Sequence, residues 1–191
     1  GKGALTFNIC KLCSSLTVIE KDFDLAQYIK ACNPEINVIV ADALSFAWPK
    51  LIKGFAWKVI GNLPYNIASP LIWNFVGSGN FFKKAVFTVQ KEVAQRIVSS
   101  PGSKKYGALS VWVQSFATPE LLFSIKPQVF RPRPKVDSAV ISLEPLTQIR
   151  SRFQAQRLSD LLHLCFQKRR KQLRTILKNY WSSDMHNWFV A

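Results

Sequence analysis

Short apolar runs rich in β-branched residues alternate along the chain with stretches whose apolar positions follow a helical spacing. The predicted strands lie at residues 16–19, 37–41, 57–60, 84–90, 120–125 and 139–143. The predicted helices lie at residues 22–31, 67–75, 91–99 and 109–116, and Asp22 is a candidate cap for the first of them. This alternation predicts an α/β protein with a doubly wound sheet, whose last two strands form an antiparallel pair at one edge.

From about residue 149 the pattern is only helical, with an apolar stripe followed by a run of cations. We therefore predict a first domain at residues 1–146 and a small helical RNA-binding domain at residues 147–191. A charge run is often a solvated face, but six cations without an acid repel one another unless phosphates neutralise them. The cations of this run are Lys168, Arg169, Arg170, Lys171, Arg174 and Lys178.

The stretch at residues 57–66 holds the strongest candidate chemistry. An apolar run, predicted to be a buried strand, stops at Gly61, and ligands of α/β sheets bind beyond the carboxyl ends of strands. The Asn62 side chain and the Pro64 backbone offer carbonyl acceptors, and Tyr65 offers an aromatic face. This combination suits an exocyclic amine on a planar ring. The alternative is a plain strand-to-helix turn with an asparagine cap and a core tyrosine.

Two other predicted strands end at acidic residues. Glu20 is placed to accept hydrogen bonds from ribose hydroxyls, although a solvated acid beside Lys21 is an equal alternative. Asp42 is placed to accept from an adenine amino group. Gly1 and Gly3 are typical of a glycine-rich loop that leads into a helix.

The chain has 191 residues, with 26 lysines and arginines against 11 acids, and its formal charge of +15 indicates a polyanionic partner. Nucleic acid is the first candidate and an anionic membrane surface the second. No apolar run approaches the roughly 18 residues that span a bilayer, and no signal-peptide pattern opens the sequence.

Two basic segments are candidates for nucleic-acid contact. The predicted loop at residues 99–107 carries Lys104 and Lys105 and is either a connection or a cover for a substrate. Residues 126–138 contain three prolines, which predict an extended path, and Phe130 stands there among Arg131 and Arg133. This second segment is either a rigid linker or a clamp whose phenylalanine packs on a base.

The chain has four cysteines, which we predict to be buried thiols in a reducing compartment. Cys10 and Cys13 have a ligand-like spacing, but no second pair follows at a zinc-finger distance, and the two lie three residues apart on a predicted helix face. We predict no metal site.

Three motifs, at residues 61–67, 130–138 and 166–173, make the chain similar to the ribosomal RNA adenine N6-dimethyltransferase family, in particular to its small-subunit branch. The resemblance covers essentially the whole chain. It implies a class I Rossmann-like methyltransferase fold, S-adenosylmethionine as cofactor, and dimethylation of adenines in small-subunit (16S) ribosomal RNA during ribosome biogenesis. The implied partner is the small subunit or its precursor, and the implied protein is a cytoplasmic monomer.

The resemblance also implies residue roles. Gly1, Gly3, Glu20, Asp42, Ala43 and Asn62 would bind the cofactor. Asn62, Pro64, Tyr65 and Phe130 would be catalytic, with the two carbonyls accepting the amino hydrogens of an everted adenine. Lys104, Lys105, Arg131, Arg133, Lys168, Arg169, Arg170, Lys171 and Arg174 would contact RNA.

The sequence departs from the family at its amino end, where the first strand and the start of the glycine loop are absent. We expect the chain to be part of a longer one, with weakened cofactor affinity by itself. Three other functions remain open: methylation of large-subunit RNA by a resistance-type enzyme, methylation of DNA, and a non-catalytic role in ribosome assembly.

Overall fold

The computed structural model describes residues 1–51, 57–79, 81–147, 152–167 and 171–183. Within these ranges the chain divides into two compact units, residues 1–50 and residues 51–191. Each unit contains its own β-sheet. The predicted boundary at residue 146 is a division of a different kind, between methyltransferase and RNA-binding functions, and it stays a prediction.

Residues 1–50 form a small α/β unit around a two-stranded parallel sheet. In chain order its elements are α1 (Thr6–Cys10), β1 (Thr17–Glu20), α2 (Phe23–Cys32) and β2 (Asn37–Val40), followed by a 3-10 turn at Trp48–Leu51. The predicted cap of α2 is confirmed, because the Asp22 carboxylate accepts a hydrogen bond of 2.9 Å from the Leu25 N–H.

Residues 51–191 contain a four-stranded sheet with the order β3-β4-β6-β5. Its strands are β3 (Trp57–Asn62), β4 (Phe82–Gln90), β5 (Ala117–Ile125) and β6 (Ser138–Pro145), and its helices are α3 (Ala68–Gly77), α4 (Lys91–Ile97), α5 (Ala108–Gln114), α6 (Arg152–Phe166) and α7 (Leu173–Ile176). Strand β3 is parallel to β4, whereas β6 is antiparallel to both β4 and β5. The predicted antiparallel pair is confirmed.

An aromatic cluster fills the core of this second unit. The ring of Phe75 on α3 lies 4.9 Å from that of Phe81, 4.7 Å from that of Phe82 and 5.2 Å from that of Phe87, measured between centroids. All four rings are buried. Because edge-to-face and tilted aromatic pairs add to the stabilisation from burial itself, this cluster fixes α3 on the sheet that carries the candidate turn.

The prediction that residues 57–60 form a buried strand is wrong in two respects. Strand β3 continues to Asn62, because β4 extends far enough to pair Asn62 with Thr88. It also alternates between half-buried and exposed positions, and the Ile60 side chain is 48% exposed. Within the described strands β3 has only β4 as a neighbour, so it lies at an edge of its sheet.

Two predictions for the amino-terminal region also fail. Helix α1 ends at Cys10, so Cys13 lies beyond it rather than on the same helical face. The four cysteines are free thiols but are not buried: Cys13 and Cys32 are exposed, and Cys10 and Cys165 are half-buried. The partial burial of Cys165 raises the pKa of its thiol.

The carboxyl-terminal helices belong to the second unit. The His163 ring of α6 packs edge-on against Trp73 of α3 with a centroid distance of 5.7 Å, and Trp73 stacks on Trp112 of α5 at 4.3 Å. Among the described residues no helix is long and apolar enough to cross a bilayer.

Candidate active site

Asn62 ends β3 with its side chain exposed, and the turn begins at Leu63. The Leu63 N–H donates to the Thr88 carbonyl at 3.1 Å, and the Leu63 side chain is buried, so the sheet holds the start of the turn. In the part of the chain that the structure describes, the side-chain amide of Asn62 makes no hydrogen bond. The N-cap position of helix α3 is Ile67, five residues after Asn62, so Asn62 is not the cap of this helix.

The Pro64 carbonyl already accepts a hydrogen bond of 3.1 Å from the Ile67 N–H. A carbonyl oxygen has two lone pairs, so this bond orients the group and leaves one acceptor position. Gly61 allows the Leu63 and Phe87 side chains to lie close to its backbone. A Cβ at this residue would lie 3.0 Å from the Leu63 Cδ2 and 3.3 Å from the Phe87 Cδ1. Buried side chains therefore pack against one side of the turn, and its polar acceptor groups lie on the other side.

Tyr65 is half-buried, and its hydroxyl oxygen lies 2.5 Å from the Oγ of Ser138, the first residue of β6. Ser138 is fully buried. The aromatic ring that sequence analysis assigns to base stacking is thus tethered at its far end to a central strand of the sheet.

Phe130 is half-buried in the segment between β5 and β6. The prediction of a uniformly extended path there is only partly right, because Pro127–Val129 form a 3-10 turn and the Phe130 N–H donates to the Pro127 carbonyl at 3.2 Å. Arg131 and Arg133 are exposed on the same segment.

The far end of this segment is fixed to the end of β4. The Lys91 N–H donates to the Asp137 carbonyl at 2.9 Å, and the Lys91 Nζ lies 3.3 Å from the Asp137 carboxylate. Asn62, Pro64, Tyr65 and Phe130 therefore all belong to the unit at residues 51–191, on elements joined by the same sheet.

The other candidate cofactor-binding residues belong to the unit at residues 1–50. Glu20 is the last residue of β1, and its side chain is 18% exposed. Burial raises the pKa of Glu20, and the hydrogen bonds that its carboxylate accepts from the backbone N–H groups of Asp22 and Lys21 lower it. The carboxylate is charged at neutral pH and exposed in part, as an acceptor for hydroxyl groups must be.

Asp42 follows β2 and is already engaged on both oxygens. The Leu44 N–H donates to its Oδ1 at 2.9 Å, and the Lys21 Nζ lies 2.8 Å from its Oδ2. The Lys21 ammonium and the Leu44 N–H hold the pKa of Asp42 below its usual value. Ala43, next to it, is half-buried. A carboxylate has about four lone-pair positions, so Asp42 retains acceptor capacity for an amine.

The backbone of Gly3 favours a glycine. Gly3 adopts a φ of +76°, and a Cβ there would clash with the Phe7 ring. Gly1 is exposed. The roles of both glycines at the cofactor stay predictions.

The predicted RNA-contacting cations fall into two groups. Those within the described ranges have exposed side chains: Lys104, Lys105, Arg131, Arg133, Lys171 and Arg174. The Lys105 ammonium donates to the Gln95 side chain. Lys168, Arg169 and Arg170 lie outside the described residues.

Sequence reasoning missed two contacts that shape the site. It considered Lys21 only as the neighbour of a solvated Glu20, whereas Lys21 pairs with Asp42. It also gave Ser138 no role, although a serine that opens a largely apolar strand is a signal that a buried hydroxyl has a partner. Within the described ranges no cluster of three or more His, Cys, Asp or Glu side chains could hold a metal ion.

Comparison with known proteins agrees with the fold and the motifs. The chain is 49% identical over 189 residues to the Ribosomal RNA small subunit methyltransferase A of Maridesulfovibrio salexigens, which covers 98% of this chain and 71% of the relative. It is 48% identical to the protein of the same name from Oleidesulfovibrio alaskensis, over 99% of this chain and 69% of the relative.

Two solved structures share the fold. A dimethyladenosine transferase from Plasmodium falciparum matches with a TM-score of 0.76 at 29% identity, over 98% of this chain and 67% of that one. The 23S rRNA methyltransferase ErmE matches with a TM-score of 0.70 at 22% identity, over 96% and 74%, which supports the fold alone. The family described as Ribosomal RNA adenine dimethylase matches residues 1–191. The chain belongs to the ribosomal RNA adenine dimethylase family.

Proposed function

We propose that this protein transfers methyl groups from S-adenosylmethionine to N6 of adenines in small-subunit ribosomal RNA, dimethylating them during ribosome biogenesis. The observation that carries the proposal is the turn after β3, in a chain that belongs to this family. The exposed Asn62 amide, the oriented Pro64 carbonyl and the tethered Tyr65 ring stand together on four consecutive residues.

The residues of the unit at 1–50 fit the cofactor. The cofactor's ribose offers hydroxyl donors, and the partly exposed, ionised Glu20 carboxylate is a matching acceptor. Asp42 and Ala43 border the adenine of the cofactor in this proposal, and Gly3 allows the chain to pass close to the ligand. S-adenosylmethionine supplies a methyl group on a positively charged sulfur, so the leaving group departs neutral.

The residues of the turn act on the target amine. The Asn62 amide oxygen and the Pro64 carbonyl accept the two hydrogens of N6, which directs the nitrogen lone pair toward the methyl group. Positive charge grows on the amine as the new bond forms, and these two carbonyl dipoles stabilise it. A strong base is not required before attack, which accounts for an amide here instead of a carboxylate or an imidazole.

The aromatic residues hold the base. An adenine has to leave its stack to bring N6 to the methyl group, and stacking on a protein aromatic recovers about 1–3 kcal/mol per base. In this proposal Tyr65 supplies one face, and Phe130, on the segment fixed by Lys91 and Asp137, supplies the other.

Exposed cations bind the RNA backbone in this proposal. Arg131 and Arg133 flank the segment of Phe130, Lys104 and Lys105 belong to the loop before α5, and Lys171 and Arg174 belong to the carboxyl-terminal helical region. We include Lys168, Arg169 and Arg170 on the basis of sequence. The excess charge of +15 predicts an affinity for RNA that falls steeply with salt.

We further propose that the substrate is the small subunit or its precursor, and that the protein acts as a cytoplasmic monomer without a membrane partner. The relatives at 49% and 48% identity are named for the small subunit, whereas the likeness to the large-subunit enzyme rests on 22% identity. Similarity therefore favours the small subunit.

The test is a methyl-transfer assay of the complete protein on isolated small and large subunits, with the modified nucleosides identified by mass spectrometry. We expect N6-dimethyladenosine in small-subunit RNA only. Modification of large-subunit RNA would instead identify a resistance-type enzyme. Tight RNA binding without methyl transfer would identify a non-catalytic assembly factor, and either result would contradict the proposal.

A further inference from the structure

Ser138 is the point at which the sheet meets the tethered Tyr65 ring. It is one of three buried polar residues in the described ranges, with 0% of its surface exposed. A buried hydroxyl without a partner costs about 1–3 kcal/mol, so its partner is informative. That partner is the Tyr65 hydroxyl at 2.5 Å, 73 residues away in the sequence, and either hydroxyl can donate.

The backbone of Ser138 is held on both sides. In the sheet it lies opposite Gln90 of β4 and Ile125 of β5. The preceding residue, Asp137, receives the Lys91 N–H on its carbonyl and the Lys91 ammonium on its carboxylate. The serine hydroxyl is therefore presented from one of the best-fixed positions of the unit at residues 51–191.

Tyr65 lies on a turn whose backbone is held at Leu63 and Pro64, but its ring has two rotatable bonds of its own. Among the described residues, the hydrogen bond that fixes the orientation of the ring is the one at its hydroxyl. If the hydroxyl were released, the ring could swing about its first side-chain torsion, and a stacking surface that moves by about 1 Å can cost on the order of 100-fold in rate. The tether matters to stacking geometry more than to folding.

We infer that Ser138 is a positioning residue: its hydroxyl holds the Tyr65 ring at the orientation in which the ring stacks on the target adenine. The inference rests on the proposed function, because it assigns Tyr65 to base stacking. The segment that carries Phe130 ends at the same serine.

The alternative is that Ser138 merely satisfies a buried tyrosine hydroxyl and stabilises the fold. The two cases differ in how the variants combine. If the serine acts through the ring, removing either hydroxyl has the same effect on turnover, and removing both adds nothing. If it acts on the fold, Ser138→Ala lowers stability and its effect on turnover is independent of Tyr65.

The experiment compares Ser138→Ala, Tyr65→Phe and the double variant in the complete protein. Ser142→Ala is the matched control, because Ser142 is also buried, lies on the same face of β6 and is 3.5 Å from Glu120 rather than near the turn. The readouts are kcat and KM for RNA, the melting temperature, and the fluorescence of an RNA with 2-aminopurine at the target position.

We expect each single variant to lose about tenfold in kcat, with KM for RNA within about twofold of wild type, and the double variant to lose no more than the larger single loss. Bound 2-aminopurine should be less quenched in all three than in wild type or Ser142→Ala. If Ser138→Ala does not fold, Tyr65→Phe alone carries the test, since it leaves the buried serine in place.

Wild-type kcat in Tyr65→Phe or Ser138→Ala would overturn the inference, as would a double variant whose loss is the product of the single losses. These results are distinguishable from failure of the proposed function. In that case the wild-type protein itself would transfer no methyl group to small-subunit RNA.

Discussion

The two units hold their functional groups in place by different means. At residues 1–50, the carboxylates of Glu20 and Asp42 lie at the surface and are oriented by short-range polar contacts with Asp22, Leu44 and Lys21. At residues 51–191, the turn that follows β3 rests on a buried core. Hydrophobic residues buried in the first unit are few, namely Ala26, Ile29, Ile36 and Trp48, whereas the second contains the aromatic cluster around Phe75.

This difference corresponds to the two ligands of the proposed reaction. A diffusible cofactor can be bound by accessible charged acceptors, which keep their hydrogen bonds to the protein while they receive those of the ligand. An everted base has to be held at a defined distance and angle, and a packed turn supplies this because it cannot easily relax. We expect stability to depend mainly on the second unit and cofactor affinity mainly on the first.

The largest effect should come from the core of the second unit. Phe75→Ala removes a fully buried ring and leaves a cavity among three other phenylalanines, which should lower the free energy of unfolding by about 3–5 kcal/mol. Phe23→Ala in the first unit is the matched control, because its ring is 61% exposed, and it should change little. Urea unfolding monitored by circular dichroism measures both, and equal losses would contradict the contrast.

A smaller effect is expected at Glu20. Glu20→Gln removes the charge that strengthens hydrogen bonds to the ribose, so cofactor affinity should fall about tenfold or more. Glu35→Gln, an exposed acid in the same unit, should leave it unchanged. Calorimetric titration of the complete protein measures both dissociation constants. A normal affinity in Glu20→Gln would remove Glu20 from the cofactor site.

The pH dependence follows from the same residue. Because the hydrogen bonds from the Asp22 and Lys21 backbone favour the charged form of Glu20, whose ordinary pKa is 4.5, the carboxylate stays charged through the neutral range. The cofactor dissociation constant of the wild-type protein should therefore be level between about pH 8 and 5. A rise within that window that is absent in Glu20→Gln would contradict the assignment.

A further effect is expected at Gly3. Gly3→Ala places a Cβ on a backbone with φ +76° and against the Phe7 ring, so it should cost about 1–2 kcal/mol of stability. Gly102→Ala is the matched control: φ is +83° there too, but the added Cβ meets no atom within 4 Å, so it should cost less. Thermal unfolding measures both variants, and an equal response would show that the contact with Phe7 does not matter.

The sequence alone predicted the structural features that depend on local residue patterns. Alternating apolar runs located all six strands of the described sheets to within a few residues, and Asp22 was recognised as a helix cap from its position alone. The sequence also placed Asn62, Glu20 and Asp42 at or near strand ends, because side-chain type and strand termination can both be recognised from neighbouring residues.

Sequence could not supply what depends on distant partners. The exposure of Ile60 reflects which strand borders β3, and periodicity does not contain that information. The tether between Tyr65 and Ser138 joins residues 73 apart, and the pair of Lys21 and Asp42 joins residues 21 apart. Both contacts depend on strand order, which a reading of neighbouring residues does not determine.

The central claim is that the carbonyl groups of the turn after β3 stabilise the amine of an adenine during methyl transfer. It is tested most directly by single-turnover methylation of small-subunit RNA with Asn62→Ala, beside Asn66→Ala as an exposed asparagine of the same turn. We predict a loss of about 100- to 1,000-fold for Asn62→Ala, with a much smaller change in the cofactor dissociation constant, and near wild-type turnover for Asn66→Ala. Undiminished methyl transfer by Asn62→Ala would contradict the account.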